Sequence, residues 1–236
     1  MDVLLKEAAK FGIELSEEMI KKFEIYNSTL NEYNAVMNLT AITDEYEIII
    51  KHYLDSLTLL TVGKIKEGDK VIDIGAGAGF PSLPNAIARE DVSFTMLDSL
   101  GKRVNFLNEV IKRTSLKNAV AVHMRAEDGG RDKNYREKFD IATARAVADL
   151  SVLSEYALPF VKVGGYFLAM KGNAPKDEIY NAKGAVKLLG GKVEDVKEIK
   201  IEPLDITHTI VVIEKRENCS YLYPRKAGIP SKKPLS

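Results

Sequence analysis

Between positions 71 and 81 the chain reads Val-Ile-Asp-Ile-Gly-Ala-Gly-Ala-Gly-Phe-Pro. The apolar run Val71 to Ile74 ends in three glycines at alternate positions, Gly75, Gly77 and Gly79. A short run of this kind reads as a strand buried on both faces. Glycine is entropically costly, so three at one turn imply a sharp reversal and a backbone that something approaches closely. Pro81 suits the first turn of a helix, where its missing N–H is not needed. Strand, glycine turn and helix open a Rossmann-type unit, with a ligand at the helix N-terminus. A purely structural turn is the alternative. The motif G-x-x-x-x-G-K-[ST] is absent, which removes a P-loop. A dinucleotide fingerprint, G-x-G-x-x-G, meets Phe80 in place of its last glycine when counted from Gly75, and Ser82 when counted from Gly77.

From Lys70 onward strands and helices alternate. Strands are predicted at 70–74, 92–97, 119–124, 139–144, 165–170, 192–200 and 207–214, with helices near 82–90, 101–115, 148–158 and 174–190. Repeated βα units with short loops give a parallel sheet covered on both faces. Residues 1–64 form an N-terminal helical extension. Ser16 is a good N-cap, with Glu17 and Glu18 in the first turn. Met19, Phe23, Tyr26, Leu30, Tyr33 and Met37 follow at steps of four and three, one apolar stripe. Thr43 or Asp44 caps a second helix, with Tyr46, Ile50, Tyr53, Leu57 and Leu60 on its buried face. Residues 65–214 form a Rossmann-like domain. Residues 215–236 form a basic, Pro-rich tail, expected to be extended rather than packed.

The remaining bulk properties exclude more than they assign. No run approaches 18 apolar residues, and the first residues lack the basic start and apolar core of a secretion signal. The single cysteine, Cys219, allows neither an internal disulfide nor a zinc cluster, so no metal site is expected. The cytoplasm is the expected location. Net charge is zero but uneven. Residues 1–60 hold five lysines against eleven carboxylates, a net −6, which leaves +6 for the rest. An anionic partner should therefore meet the later part of the chain.

In an open α/β sheet the ligand lies beyond the carboxyl ends of the strands. After the second strand come Asp98 and Ser99, about twenty residues past the glycines, where an acid accepts hydrogen bonds from ribose hydroxyls. Such an acid serves a nicotinamide dinucleotide and S-adenosylmethionine equally, and it can also cap the helix that follows. After the third strand come Arg125, Ala126 and Glu127, bordering the adenine. After the fourth comes Arg145, followed by Ala146, and after the fifth come Lys171 and Gly172. An arginine at a strand end must satisfy its charge near the crevice. His52 precedes Tyr53 on the second helix and is either structural or within reach of a ligand.

These stretches carry a resemblance. D-x-G-x-G-x-G-F, at Asp73 to Phe80, resembles the first motif of class I methyltransferases. The chain as a whole is similar to the small-subunit ribosomal RNA methyltransferase G family, also called glucose-inhibited division protein B. The matching stretches are Asn38 to Thr40, His52 to Ser56, the glycine motif with Phe80 and Pro81, and Leu97 to Arg103. They continue through Arg125 to Glu127, Ala144 to Ala146, Lys171 with Gly172, and Tyr223 to Pro230, in order across nearly the whole chain. The resemblance implies an α/β class I fold with a seven-stranded, mostly parallel sheet. It implies S-adenosyl-L-methionine as cofactor and methylation of guanine N7 in 16S rRNA near the decoding site. It implies cofactor contacts at Gly77, at Phe80 to Ser82, at Ala126 and Glu127, and at Arg145. Gly75, Gly79, Asp98 and Ser99 join that set from the reading of the strand ends.

The chemistry agrees by exclusion. Methylation of a pyrimidine C5 needs a cysteine nucleophile, and Cys219 lies in the tail. The [ND]-P-P-[YFW] loop that goes with exocyclic amines is absent. Guanine N7 carries a lone pair and no proton, so it needs alignment and exclusion of water rather than a base. No residue is assigned as acid, base or nucleophile. RNA contact is expected from charge. Lys102, Arg103, Lys112, Arg113 and Lys117 against Glu109 make a +4 stretch, and the tail, with Arg225 and Lys226, carries +5. A solvated helix face is the bland reading of the first. The expected partner is 16S rRNA, free or in the small subunit or an assembly intermediate, met by a monomer with no membrane involved. Other readings stay open: a ribose hydroxyl, protein or small-molecule acceptor with Lys171 as base, an NAD-dependent oxidoreductase, or an RNA-binding protein with a vestigial pocket.

Overall fold

A computed structural model describes residues 1–145, 148–172 and 176–236. Ala146, and the first two positions of the helix predicted at 174–190, lie outside them. The N-terminal part begins with α1 (Asp2–Lys10) and α2 (Glu17–Met37). Ser16 caps α2 by accepting the Met19 N–H at 3.2 Å, and Asn38 closes it in the left-handed region. Asp44, rather than Thr43, caps α3 (Glu45–Ile48). That helix passes into a π-helical stretch, Ile49–Leu54, then α4 (Asp55–Leu57) and a 3-10 turn, Thr58–Val62. The wider π turn breaks the α period. Ile50, Tyr53 and Leu57 are buried, but Tyr46, expected on the same face, is 41% exposed.

The sheet is formed by β1 (Lys70–Ile74), β2 (Ser93–Asp98), β3 (Ala119–His123), β4 (Phe139–Arg145), β5 (Val161–Lys171), β6 (Gly191–Ile201) and β7 (Ile206–Lys215). Its order is β3-β2-β1-β4-β5-β7-β6. The first five strands are parallel, and β7 runs antiparallel to both β5 and β6. Strand β5 starts four residues before its predicted position, across Gly164 and Gly165. A Cβ on Gly165 would lie 2.3 Å from the Asp140 carbonyl, so the pairing of β4 with β5 is possible only with glycine there. The covering helices are α5 (Ser82–Ala88), α6 (Gly101–Thr114), the short α7 (Ala126–Gly129), α8 (Leu150–Ala157) and α9 (Lys176–Leu188). One apolar core joins α1, α2, α5 and α6 to one sheet face, through residues such as Leu4, Phe23, Tyr26, Leu83 and Phe106. The other joins α8 and α9 to the opposite face, through Leu150, Leu153, Ala182 and Val186.

The tail departs from expectation. It is packed, not extended, and ends in α10 (Ile229–Lys232). Cys219, Pro224 and Pro230 are buried. The buried guanidinium of Arg136 donates to the carbonyls of Cys219, Ser220, Tyr223 and Gly130 at 2.6–3.1 Å. Glu137 accepts the Cys219 N–H at 2.7 Å. Composition misleads here because the tail's backbone groups find buried partners on the domain, which replaces water without loss.

Candidate active site

The glycine turn leaves the carboxyl end of β1. The N–H groups of Gly75 and Ala76 donate to the Leu97 carbonyl at 2.8 and 3.1 Å, which ties the turn to β2. Gly77 has φ +59°, and a Cβ there would meet nothing nearer than the Gly75 carbonyl, at 3.8 Å. Its outer side is open. Gly79 differs: with φ +95°, a Cβ would lie 2.3 Å from Leu83 Cδ1 and 2.9 Å from the Tyr26 hydroxyl. Gly79 is therefore fixed by packing, Gly77 by room for a ligand.

Asp98, at the end of β2, is 2% exposed. One of its oxygens accepts the Gly77 N–H at 2.9 Å and the other the Leu100 N–H at 2.8 Å. Asp98 thus braces the glycine turn and opens α6 at once. That crevice, about 170 Å³, lies beyond β1, β2 and β3 and brings together Gly75, Asp98, Ser99, Ala126, Glu127 and Tyr156. Glu127 is 6% exposed, and one of its oxygens accepts the Gly228 N–H at 3.0 Å. The tail therefore forms part of the crevice's support. Arg225 donates three side-chain hydrogen bonds to the fully buried Glu155 at 2.5–3.1 Å, and its N–H donates a fourth at 2.7 Å. Expected at RNA, Arg225 is committed to the interior, whereas Lys226 is exposed.

Asp73, quoted in the motif without a role, is the residue that sequence reasoning missed. It is fully buried, and neither carboxylate oxygen has a hydrogen-bond partner. Burial pushes it up to about 7; the neighbouring Ser82 and the charge of Arg145 draw it back, while Asp98 adds to the rise. The Ser82 hydroxyl is itself buried without a hydrogen-bond partner, so the two groups are close but not aligned. An orphaned buried acid is costly, and beside an open glycine turn it fits a ligand carrying positive charge.

A second cleft, about 360 Å³, is lined by Lys51, His52, Asp55, Arg145, Lys171 and His208, with Met170, Ile201 and Ile206 as apolar walls. Arg145 donates to Asp55 Oδ2 at 2.8 Å and to the Lys51 carbonyl at 3.2 Å. Its Nη2 lies 3.2 Å from His52 Nδ1. His52 Nδ1 also lies 3.2 Å from the Lys51 carbonyl, and His52 Nε2 lies 2.8 Å from Thr40 Oγ1. Burial and the Arg145 charge hold the His52 imidazole down at about 4, so it is neutral at pH 7. His208 Nδ1 lies 2.7 Å from Asp55 Oδ1, at ion-pair distance but poorly aligned for a hydrogen bond. Burial raises Asp55, but His208 and Arg145 outweigh it and keep the carboxyl below its ordinary value. Phe80 separates this cluster from the aromatic core: His52 stacks on it at 4.5 Å, the Arg145 guanidinium sits 4.8 Å from its centroid, and Tyr26 packs behind at 5.6 Å. Phe80 and Ser82 are therefore buried supports of the turn, not walls of the crevice. Asp55 and His208 had no signal in the sequence that would pair them.

Lys171 donates to Glu178 at 2.7 Å and to the Ala148 carbonyl at 2.8 Å, so it serves as an ion-pair donor rather than a base. On α6, Lys102 is exposed, Arg103 leans to 3.6 Å from Asp98, and Arg113 is paired with Glu32 and Glu109. The crevice, the open glycine and the orphaned acid together fit a nucleoside that carries a cation.

Comparison with known proteins follows the same line. The family model described as rRNA small subunit methyltransferase G (GidB) matches residues 19–208. A protein named Ribosomal RNA small subunit methyltransferase G from Clostridium botulinum (strain Eklund 17B / Type B) is 51% identical over 99% of this chain and 98% of its own length. One of the same name from Lactobacillus johnsonii is 50% identical over 99% of each chain. Among solved structures, a 16S rRNA (adenine(1408)-N(1))-methyltransferase variant from Catenulisporales acidiphilia has a TM-score of 0.55 at 14% identity, covering 65% of this chain and 88% of that one. M. jannaschii TYW2 in complex with AdoMet has a TM-score of 0.51 at 19% identity, covering 66% and 74%. At such identities the structures speak for the fold alone.

Proposed function

The chain belongs to the rRNA small subunit methyltransferase G family, and on that premise we propose that it transfers a methyl group from S-adenosyl-L-methionine to N7 of a guanine in 16S rRNA near the decoding site. When bound, the cofactor supplies a methyl group on a cationic sulfur. Asp98 and Glu127 would hold its nucleoside, and the orphaned Asp73 carboxylate would face its positive charge. Gly77 leaves the backbone room to meet it. Arg145 and His52 border the cleft in which the guanine would lie.

One observation carries the choice of N7. The candidate groups around the cleft are all engaged: His52 at both ring nitrogens, Lys171 by Glu178, and Asp55 by Arg145 and His208. Among the described residues lining this cleft no base stands free to take a proton, and an N7 acceptor has none to give. A hydroxyl or amine acceptor would need one. The same reading has the protein act as a monomer in the cytoplasm, on the small subunit or on a precursor of it. Among the described residues no helix is long and apolar enough to cross a membrane. The test is to map N7-methylated guanines in 16S rRNA from cells with and without the protein. Loss of one modified guanine, restored by the purified enzyme and labelled cofactor, is the expected result; an unchanged map overturns the proposal.

A further inference from the structure

Helix α9 presents Lys176, Tyr180, Lys183 and Lys187 at steps of four, three and four, which places them on one face. All four are exposed, Tyr180 by 70%. Lys183 Nζ lies 5.3 Å from the centre of the Tyr180 ring. Among the described residues none of the three lysines is in an ion pair, unlike Arg113 on α6, which two carboxylates neutralise. The face leads into a cavity of about 550 Å³ lined by Lys183, Lys187, Lys192 and Arg216. The opposing carboxylates are few. Glu217 shares the cavity, Glu214 is bound to Arg216, Glu194 is bound to Lys64, Asp177 lies on the first turn of α9, and the Ser236 carboxylate lies against Gly184 on the flank of the face. At its other end α9 is tied to the cleft, because Glu178 accepts from Lys171 and from the Leu150 N–H. The thirteen residues of α9 span about 20 Å.

We propose that this face is the docking track for the rRNA strand that flanks the target guanine: Lys176, Lys183 and Lys187 take phosphates and Tyr180 stacks on an unpaired base. The proposal rests on the function proposed above and extends it. An exposed aromatic between unpaired lysines is the pattern by which single-stranded RNA is held, and the track starts at the cleft where the base must enter.

The test uses the full-length enzyme with 16S rRNA, free and in the small subunit, and the variants Lys183→Gln/Lys187→Gln and Tyr180→Ala. Each is expected to raise KM for RNA by roughly tenfold, leaving kcat and cofactor affinity unchanged. The double variant should flatten the slope of log K against log[salt] by about 1.4, two phosphate contacts at roughly 0.7 each. Lys6→Gln/Lys21→Gln, on the acidic N-terminal part, is the control and should change neither. A parent enzyme that transfers no methyl group to 16S rRNA refutes the functional reading and this track with it. An active parent whose α9 variants keep KM and salt slope refutes the track alone.

Discussion

The Gly77 N–H donates to the Asp98 carboxylate across 2.9 Å, joining the turn after β1 to the end of β2. The acid expected to hold ribose thus also holds the loop over which the cofactor is proposed to lie. Asp98→Asn keeps the shape but offers the Gly77 and Leu100 N–H groups one carbonyl oxygen in place of two carboxylate oxygens. We expect cofactor affinity to fall by about 1–3 kcal/mol, the range for hydrogen bonds to a charged acceptor, measured by calorimetry. Equal affinity in the folded variant would mean that Asp98 is structural only.

Gly77→Ala tests the open side of the turn. Its Cβ meets no protein atom closer than 3.8 Å, so the cost to folding is the left-handed backbone alone, about 1 kcal/mol. Cofactor binding should fall much further, because the methyl group enters the ligand's space. Gly79→Ala should do the reverse, destabilising the fold through its clash with Leu83. Melting curves with and without cofactor separate the two.

Asp73 gives a pH signature. Its folded pKa, about 7, exceeds the ordinary 3.8. The folded protein therefore binds more protons than the unfolded chain between those values, and stability falls as pH rises through that window, by at most about 1.4 kcal/mol per pH unit. His52, held at about 4, has the opposite slope below its ordinary 6.5. The difference between parent and Asp73→Asn isolates the first effect. The variant should gain stability relative to the parent as pH rises from 4 to 8 and should bind cofactor more weakly above pH 7, where the parent's Asp73 is ionised. A constant difference in stability would show that Asp73 does not titrate in this range.

Arg145→Ala should lower both activity and stability. It leaves Asp55 with only the poorly aligned His208 and removes the cation over Phe80. The stability cost is about 1–3 kcal/mol. Asp55→Asn neutralises the same ion pair from its other end but leaves the guanidinium in the cleft. If Arg145 acts on the substrate, the alanine variant loses far more activity at equal stability than Asp55→Asn. Matching losses would make Arg145 structural.

Removing the chain after Asn218 should weaken the cofactor as well as RNA. Gly228 no longer holds Glu127, and Glu155 is left buried without Arg225. An uncompensated buried charge costs about 3–5 kcal/mol, so melting temperature should drop. Glu155→Gln in the full chain is the milder check. Normal cofactor affinity in a folded truncate would free the tail from the pocket.

The sheet was readable because its signals are local. A glycine turn, an apolar run and a cap each lie within a few residues, and all seven strands fall where these predict. The place of Asp98 at the end of β2, bordering the crevice, was readable by spacing. What escaped depends on partners distant in sequence. Asp55 meets His208 and Glu127 meets Gly228 only after folding. Arg225 looked like an RNA contact because nothing near it in sequence reveals Glu155. Phe80, read as a ligand contact from its place in the motif, packs between His52, Arg145 and Tyr26 because the N-terminal helices close over the turn.

Strand β6 hydrogen-bonds to β7 alone, and β7 lies between it and β5. During synthesis β6 therefore emerges before the strand that will attach it to the sheet, and the two must join as a hairpin and enter together. Asp55 waits meanwhile for His208, and Glu127 for Gly228. A chain released early would carry the glycine turn without the Gly228 N–H that braces Glu127.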